Sequence, residues 1–259
     1  SDTARLDAEL LMAHALEVSR SDMLIRHMAG PVPEGFDALV DRRAAHEPLA
    51  YITGKQEFYG LTFDIKPGVL IPRPDSETLI EAAREFFDGR DSPGRILDLG
   101  TGSGALLYAA LSLFPKAEGH GIDASRAVAP TFLTNRVHHG QEALVGFTLL
   151  DWREAGWAND LGSFDLILCN PPYVEDAAQL DPDVREHEPA SALFAGPDGL
   201  DDYRILIPQI RSLMNEGGVA IFEIGYQQGE AVSALAKSHG FCTEIRQDLA
   251  NRDRAVVLW

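Results

Sequence analysis

Cysteine is scarce: Cys169 and Cys242 are the only two among 259 residues. Two thiols in a chain this long do not make a disulfide framework, and a reducing, cytoplasmic location is expected. Long apolar runs are lacking, so no membrane-spanning helix is expected. The start, Ser1-Asp2-Thr3-Ala4-Arg5-Leu6-Asp7, has no basic stretch leading into an apolar one, and no signal peptide is expected. It does not open with Met, so residues upstream are expected to be missing. The eight histidines lack metal-ligand spacing; His138 and His139 are adjacent and cannot share a helical face with an i+4 partner. Chemistry without a metal is expected. Basic residues are few, 22 against 40 acids, for a formal charge of −18. Proteins that grip nucleic acid through phosphates show a basic face, so no direct nucleic-acid binding is expected. The acidic balance favours solubility and suits either a basic protein partner or a generic cytosolic surface. A monomer is expected.

Apolar residues make up 45% of the chain, enough to bury a full core. Residues 1–28 have helical periodicity through Leu6, Leu10, Ala13 and Glu17, and Ser21 is placed to cap a short second helix. Gly30-Pro31-Val32-Pro33 breaks the pattern. Phe36, Leu39, Val40 and Arg43 predict a third helix ending before Pro48. Tyr51-Ile52-Thr53 and the stretch 58–65 alternate like strands, with Gly54 and Gly60 as turn signals, which predicts a β-hairpin. Pro72 and Pro74 exclude helix around Arg73, and Asp75 or Ser76 is placed to cap the helix that carries Leu79, Ile80 and Ala83. From residue 95 onward strands and helices alternate, closing on a strand pair at 242–246 and 255–258. This predicts an α/β fold, a doubly wound and mainly parallel sheet with ligands at the carboxyl ends of its strands. Residues 1–47 read as a helical domain, 48–68 as a hairpin linker and 69–259 as the sheet domain.

Asp98-Leu99-Gly100-Thr101-Gly102-Ser103-Gly104 follows a strand and opens a helix. Glycines there let the backbone turn sharply and approach a ligand closely. Asp123 ends the next apolar strand, where a carboxylate can accept hydrogen bonds from both ribose hydroxyls; it can also cap the following helix. Asp151 and Trp152 end the strand after that and can flank an adenine ring by hydrogen bonding and stacking. A dinucleotide enzyme uses a similar loop, but Asp98 before the first glycine is placed to meet a cationic ligand.

A further site lies downstream, which a dehydrogenase does not need. Asn170-Pro171-Pro172-Tyr173 sits at the end of a buried-type strand. An amide or aromatic NH2 group has its lone pair delocalised and is a poor nucleophile. Two acceptors, one for each N–H, orient it and favour a localised lone pair. The side-chain oxygen of Asn170 is one, and the carbonyl of Pro171 is the other. Pro171 and Pro172 keep the turn from folding into a helix that would consume those carbonyls. Tyr173 offers a ring face to a planar group. Cys169 should point to the opposite face of the strand, into the core. Together these features suit transfer of a methyl group from the sulfonium of S-adenosylmethionine to a planar NH2 group, leaving S-adenosylhomocysteine. The two acceptors alone leave adenine and a glutamine amide both open.

At this point the sequence resembles the release factor glutamine methyltransferases, the PrmC/HemK family. The resemblance rests on Val69-Leu70-Ile71-Pro72-Arg73-Pro74-Asp75-Ser76-Glu77, on the tetrapeptide from Asn170, on Glu188-Pro189, on Asp198-Gly199-Leu200 with Tyr203-Arg204, and on Glu223-Ile224-Gly225. It implies a seven-stranded class I methyltransferase sheet and methylation of the glutamine amide in the Gly-Gly-Gln loop of class-1 peptide chain release factors. It places the cofactor on Gly100, Thr101, Gly102, Ser103, Gly104, Asp123, Trp152 and Asn170. Substrate contacts fall on Asn170, Pro171, Pro172 and Tyr173, and the N-terminal helices help to dock the release factor. Arg73 is either part of the rim over the substrate or one half of a surface ion pair. There are departures: Ser76 stands for a usual Thr, Asp202 for a usual aromatic and Asn251 for a usual Gly, with neither Asp202 nor Asn251 expected to touch the site. The tetrapeptide is shared with adenine-specific DNA methyltransferases, and a methyltransferase for another protein glutamine uses the same chemistry. The segment 71–77 favours the glutamine enzymes over the DNA enzymes.

Overall fold

The computed structural model describes residues 3–259; residues 1 and 2, which fall within the first expected helical span, lie outside the described residues. Three helices come first: α1 (Ala4–Ala15), α2 (Arg20–Asp22), which passes into a π-helical turn over Met23–His27, and α3 (Phe36–Ala44). Leu11, Ala13 and Met23 are buried between them. The cap of the second helix is Ser19 and not the expected Ser21: its hydroxyl accepts from the Asp22 amide at 3.0 Å. Arg43 on α3 donates to Asp7 on α1 at 2.8 Å, tying the two helices together.

Tyr51-Ile52-Thr53, expected as strand, is instead part of a one-turn helix, α4 (Leu49–Thr53). Five residues are too few to separate a period of 3.6 from a period of 2. Tertiary burial of Ala50, Tyr51 and Ile52 decides it, and Gly54, at φ +71°, ends the turn. The hairpin follows as β1 (Lys55–Phe58) and β2 (Leu61–Asp64), paired from Lys55↔Asp64 to Phe58↔Leu61. Both of its turn residues have positive φ, Tyr59 at 51° and Gly60 at 74°, which matches the right-handed twist of paired strands. A 3-10 turn over Pro74–Ser76 leads into α5 (Glu77–Phe86) with no side-chain cap from Asp75 or Ser76. The Ser76 hydroxyl is buried instead.

The remaining elements are β3 (Arg95–Leu99), α6 (Ala105–Leu113), β4 (Glu118–Asp123), α7 (Val128–His138), β5 (Val145–Leu149), β6 (Phe164–Cys169), α8 (Pro182–Arg185), α9 (Asp201–Leu213), β7 (Met214–Glu223), α10 (Gly229–Ser238), β8 (Thr243–Gln247) and β9 (Asp253–Leu258). The strands form one seven-stranded sheet in the order β5-β4-β3-β6-β7-β9-β8. All pairs are parallel except those made by β9 with β7 and β8. The chain runs outward from β3 in one direction and from β6 in the other, so a crevice opens at their carboxyl ends. The register puts Leu99 opposite Cys169, and the loops after β3 and β6 therefore leave the sheet side by side.

The central strands read as continuous apolar runs because both faces of the sheet are covered. Leu97, Leu99, Ile167, Cys169, Ala220 and Phe222 pack on one face with α9 and α10. Ile96, Leu166, Leu168, Val219 and Ile221 pack on the other with α5 and α6. The hairpin is fixed to this body by Asn135 of α7. Its side chain accepts from the Asp64 amide at 2.7 Å and donates to the Asp64 carbonyl and the Ser103 carbonyl at 3.0 and 2.9 Å.

Candidate active site

The glycine loop leaves β3 in a tight turn. The amides of Gly100 and Thr101 both donate to the Ile122 carbonyl, at 3.0 and 2.9 Å, and Gly104 N donates to the Thr101 carbonyl at 2.8 Å. Gly100 has φ +72°, and a Cβ there would lie 3.1 Å from Cη2 of Trp152, so the loop and the indole are in contact. Asp123, at the end of β4, accepts from Gly102 N at 3.0 Å and Ser125 N at 2.9 Å. It closes a turn at Ser125 and does not cap the helix, which starts at Val128. Ser103 is buried behind the loop, its carbonyl held by Asn135.

Asp98 is 1% exposed. One carboxylate oxygen accepts from the Thr101 hydroxyl at 2.6 Å, and the other has no partner among the described residues. Burial pushes its carboxyl up to about 7; the Thr101 bond opposes the shift and neighbouring Asp123 adds to it. Burial raises Asp123 as well, against the two amides. Two desolvated acids beside a glycine loop make a pocket that favours a cation.

At the far end of the crevice Asp151 accepts from the Arg153 amide at 2.9 Å. Trp152 is buried, with its Nε1 donating to Asp202 at 2.7 Å. Asp202, expected to lie away from the site, is therefore in direct contact with a residue that lines it. The carboxylate also takes Arg153 NH2 at 2.9 and 3.0 Å. Its own burial pushes it up, opposed by Trp152 and Arg153. Asn251, the other departure, sits in the β8–β9 turn at φ +59°, a conformation that Asn tolerates better than most side chains, and is not among the residues that line this crevice.

Asn170 leads out of β6 into a turn in which Pro171 and Pro172 are buried. Neither the Asn170 side chain nor the Pro171 carbonyl is spent on a hydrogen bond to another described residue. Both stay available for an incoming NH2 group. Tyr173 is anchored at both ends: its hydroxyl donates to Glu223 at 3.1 Å, and its carbonyl accepts from Gln228 Nε2 at 3.0 Å. Glu223 is itself 1% exposed, pushed up by burial against the nearby Ser76 hydroxyl and Arg254. Cys169 is fully buried in the core, as expected, with its thiol pushed up by the same desolvation.

Arg73 pairs with Glu188, whose side chain is 1% exposed and also accepts from the Ile71 amide at 3.2 Å. Pro189, Ser191 and Ala192, just after Glu188, wall the same crevice as Gly100, Gly102, Asp123, Asp151, Trp152, Asn170 and Pro172. Thr101, Ser103 and Gly104 shape the loop from behind. Sequence reasoning gave no role to Glu223, Glu188, Arg153 or Asp202. The signal for the first was an acid closing an apolar strand. The others carry no local signal, because their partners lie far away in the chain.

The architecture matches a solved methyltransferase from Pyrococcus furiosus with a TM-score of 0.54, at 13% identity over 77% of this chain and 88% of that one. Residues 90–250 match the family described as methyltransferase domain, and residues 1–54 match the PrmC N-terminal domain. The chain is 39% identical to the release factor glutamine methyltransferase of Rhodospirillum rubrum, covering 98% of this chain and 78% of the relative. It is 37% identical to the enzyme of the same name from Caulobacter vibrioides, over 99% of this chain and 89% of the relative. The chain belongs to the release factor glutamine methyltransferase family.

Proposed function

We propose that this chain transfers a methyl group from S-adenosylmethionine to the side-chain amide nitrogen of the glutamine in the Gly-Gly-Gln motif of class-1 peptide chain release factors. The observation that carries the reading is the pair of unspent acceptors on consecutive residues, Asn170 and Pro171, in the turn that brings Asn170 and Pro172 to the same crevice as the glycine loop. The orphaned Asp98 oxygen behind the loop and the crevice wall of Gly100, Gly102 and Asp123 fit a cationic nucleoside there. When bound, S-adenosylmethionine supplies an electrophilic methyl on a sulfonium.

The amide NH2 donates one hydrogen to Asn170 and one to the Pro171 carbonyl, which turns its lone pair toward the crevice. The Tyr173 ring, fixed through Glu223, covers the planar amide. As the N–C bond forms and the S–C bond breaks, positive charge grows on nitrogen, and both acceptor dipoles point at it. The cationic nitrogen, now strongly acidic, gives one proton to solvent water, leaving a neutral N-methyl amide, S-adenosylhomocysteine and a hydrated proton. The Gly100, Gly102 and Asp123 wall holds the nucleoside, and Asp151 and Trp152 hold the adenine. No residue in this scheme is a metal ligand. Residues 1–47 dock the release factor, residues 48–68 link, and residues 69–259 carry the chemistry. Arg73, through Glu188, secures the wall above the substrate. The enzyme works as a cytoplasmic monomer.

The test offers methyl-labelled S-adenosylmethionine with a release factor or with duplex DNA. Label is expected in the release factor, on the glutamine of its Gly-Gly-Gln loop. Label in DNA and none in the release factor would establish an adenine methyltransferase instead.

Asp98 adds a pH dependence. Its folded value, about 7, lies above its ordinary 3.8. The charged form therefore costs the free protein stability, a cost absent below 3.8, growing up to about 7 and complete above it. A bound cation favours the carboxylate, so cofactor binding expels a proton. Affinity should weaken as the pH falls below 7, by up to about tenfold per unit, and level off above it. Calorimetric titrations across that range check this, and Asp98→Asn should flatten the profile.

A further inference from the structure

We propose that Asp202 is a positioning residue for the cofactor, clamping the Trp152 indole beneath the glycine loop and holding Arg153 at the pocket rim; the proposal rests on the reading of the crevice as an S-adenosylmethionine site. Three observations carry it. Asp202 has no solvent exposure at all, so water cannot replace any bond it loses. Its two oxygens are both engaged, by Trp152 Nε1 at 2.7 Å and by Arg153 NH2 at 2.9 and 3.0 Å. Both of those residues line the same crevice as Gly100, Asp123 and Asn170.

The geometry makes the indole a plate held on opposite edges. Its six-membered ring abuts Gly100, where an added Cβ would meet Cη2 and Cζ3 at 3.1 and 3.3 Å. Its N–H is tied to Asp202 on the other side. With the second tie cut, the ring is free to tilt about its contact with the loop, and the surface offered to an adenine is no longer flat or fixed. Asp202 also lies in the first turn of α9, where the helix amides favour a carboxylate. The ion pair neutralises Arg153, which is half exposed and would otherwise bring positive charge to a pocket meant for a cation.

The test measures binding of S-adenosylhomocysteine by calorimetry, with steady-state kinetics on a release factor. Asp202→Leu removes both ties and should weaken binding by about tenfold to a hundredfold. Asp202→Asn has nearly the same shape and keeps one acceptor for Trp152 but loses the Arg153 pair; its loss should be about threefold to tenfold. In both, the KM for the release factor and kcat at saturating cofactor should stay near those of the parent. In a Trp152→Phe background, which has no indole N–H, Asp202→Leu should add less than it does alone. If Asp202→Leu does not fold, the Asn variant decides. Binding within twofold of the parent in Asp202→Asn, additive losses in the double variant, or an equal rise in release factor KM would overturn the proposal. A parent protein that binds no S-adenosylhomocysteine would refute the reading of the crevice itself, a separate outcome.

Discussion

Asn170→Ala is expected to reduce methyl transfer by about a hundredfold to a thousandfold, the effect of deleting one preorganised polar group aimed at developing charge. The fold should survive. Asn170 is only partly buried and makes no hydrogen bond to another described residue, so its truncation leaves no protein group unsatisfied. Thermal unfolding should stay close to the parent, as for substitutions that disturb no packing or hydrogen-bond network, within about 0.5 kcal/mol. Losing this acceptor frees one N–H of the substrate amide, and the lone pair returns to conjugation with the carbonyl. The defect should therefore lie mainly in kcat. Turnover of labelled S-adenosylmethionine on a release factor, measured beside a melting curve, gives both readouts. Near-normal turnover would refute the acceptor role.

Gly104→Val is expected to do the opposite, damaging the fold first and activity as a consequence. Gly104 has φ +86°, a region that a β-branched residue does not adopt without strain. A Cβ there would also lie 2.2 Å from Cε2 of Tyr108 and 3.2 Å from Cδ2 of Phe132. Tyr108 has nowhere to go. It is 2% exposed, its hydroxyl donates to the Phe132 carbonyl at 3.2 Å, and its ring packs against Phe63, Phe132 and His139. Overpacking a closed core costs about 1–3 kcal/mol, and the backbone strain adds to it. A loss of about 3 kcal/mol or more in denaturant unfolding is expected, with cofactor binding too weak to measure. A variant that unfolds with the parent would show that the loop can re-form around a side chain at this position.

The alternation of apolar strands and amphipathic helices from residue 95 onward made the parallel sheet legible, because a strand buried on both faces needs an unbroken apolar run. The ends of those strands were legible for a related reason. Glycines at positive φ and prolines without N–H constrain the backbone at their own positions, so Gly100, Gly104, Pro171 and Pro172 announce turns without any tertiary help. Where the signal was short, it failed. The stretch 51–53 alternates like a strand and is a helical turn, since a handful of residues fits either period and burial of Tyr51 and Ile52 decides between them. The cap at Ser19 in place of Ser21 is the same failure at a boundary.

Chemistry confined to one turn was thus written in the sequence: the two acceptors for an NH2 group, the glycine loop and the acid that ends β4. Those features act within a few residues of themselves, and their residue types restrict what they can do. The pairs that hold them rigid were decided only by the tertiary structure. Trp152 meets Asp202 across 50 residues of chain, Tyr173 meets Glu223 across 50, and Arg73 meets Glu188 across 115. Each joins segments brought near only by the tertiary fold, and a lone Asp or Glu in a sequence does not reveal which donor it will meet. The parallel crossovers place the ends of β3, β6 and β7 side by side, and that placement turns separate turns into one crevice.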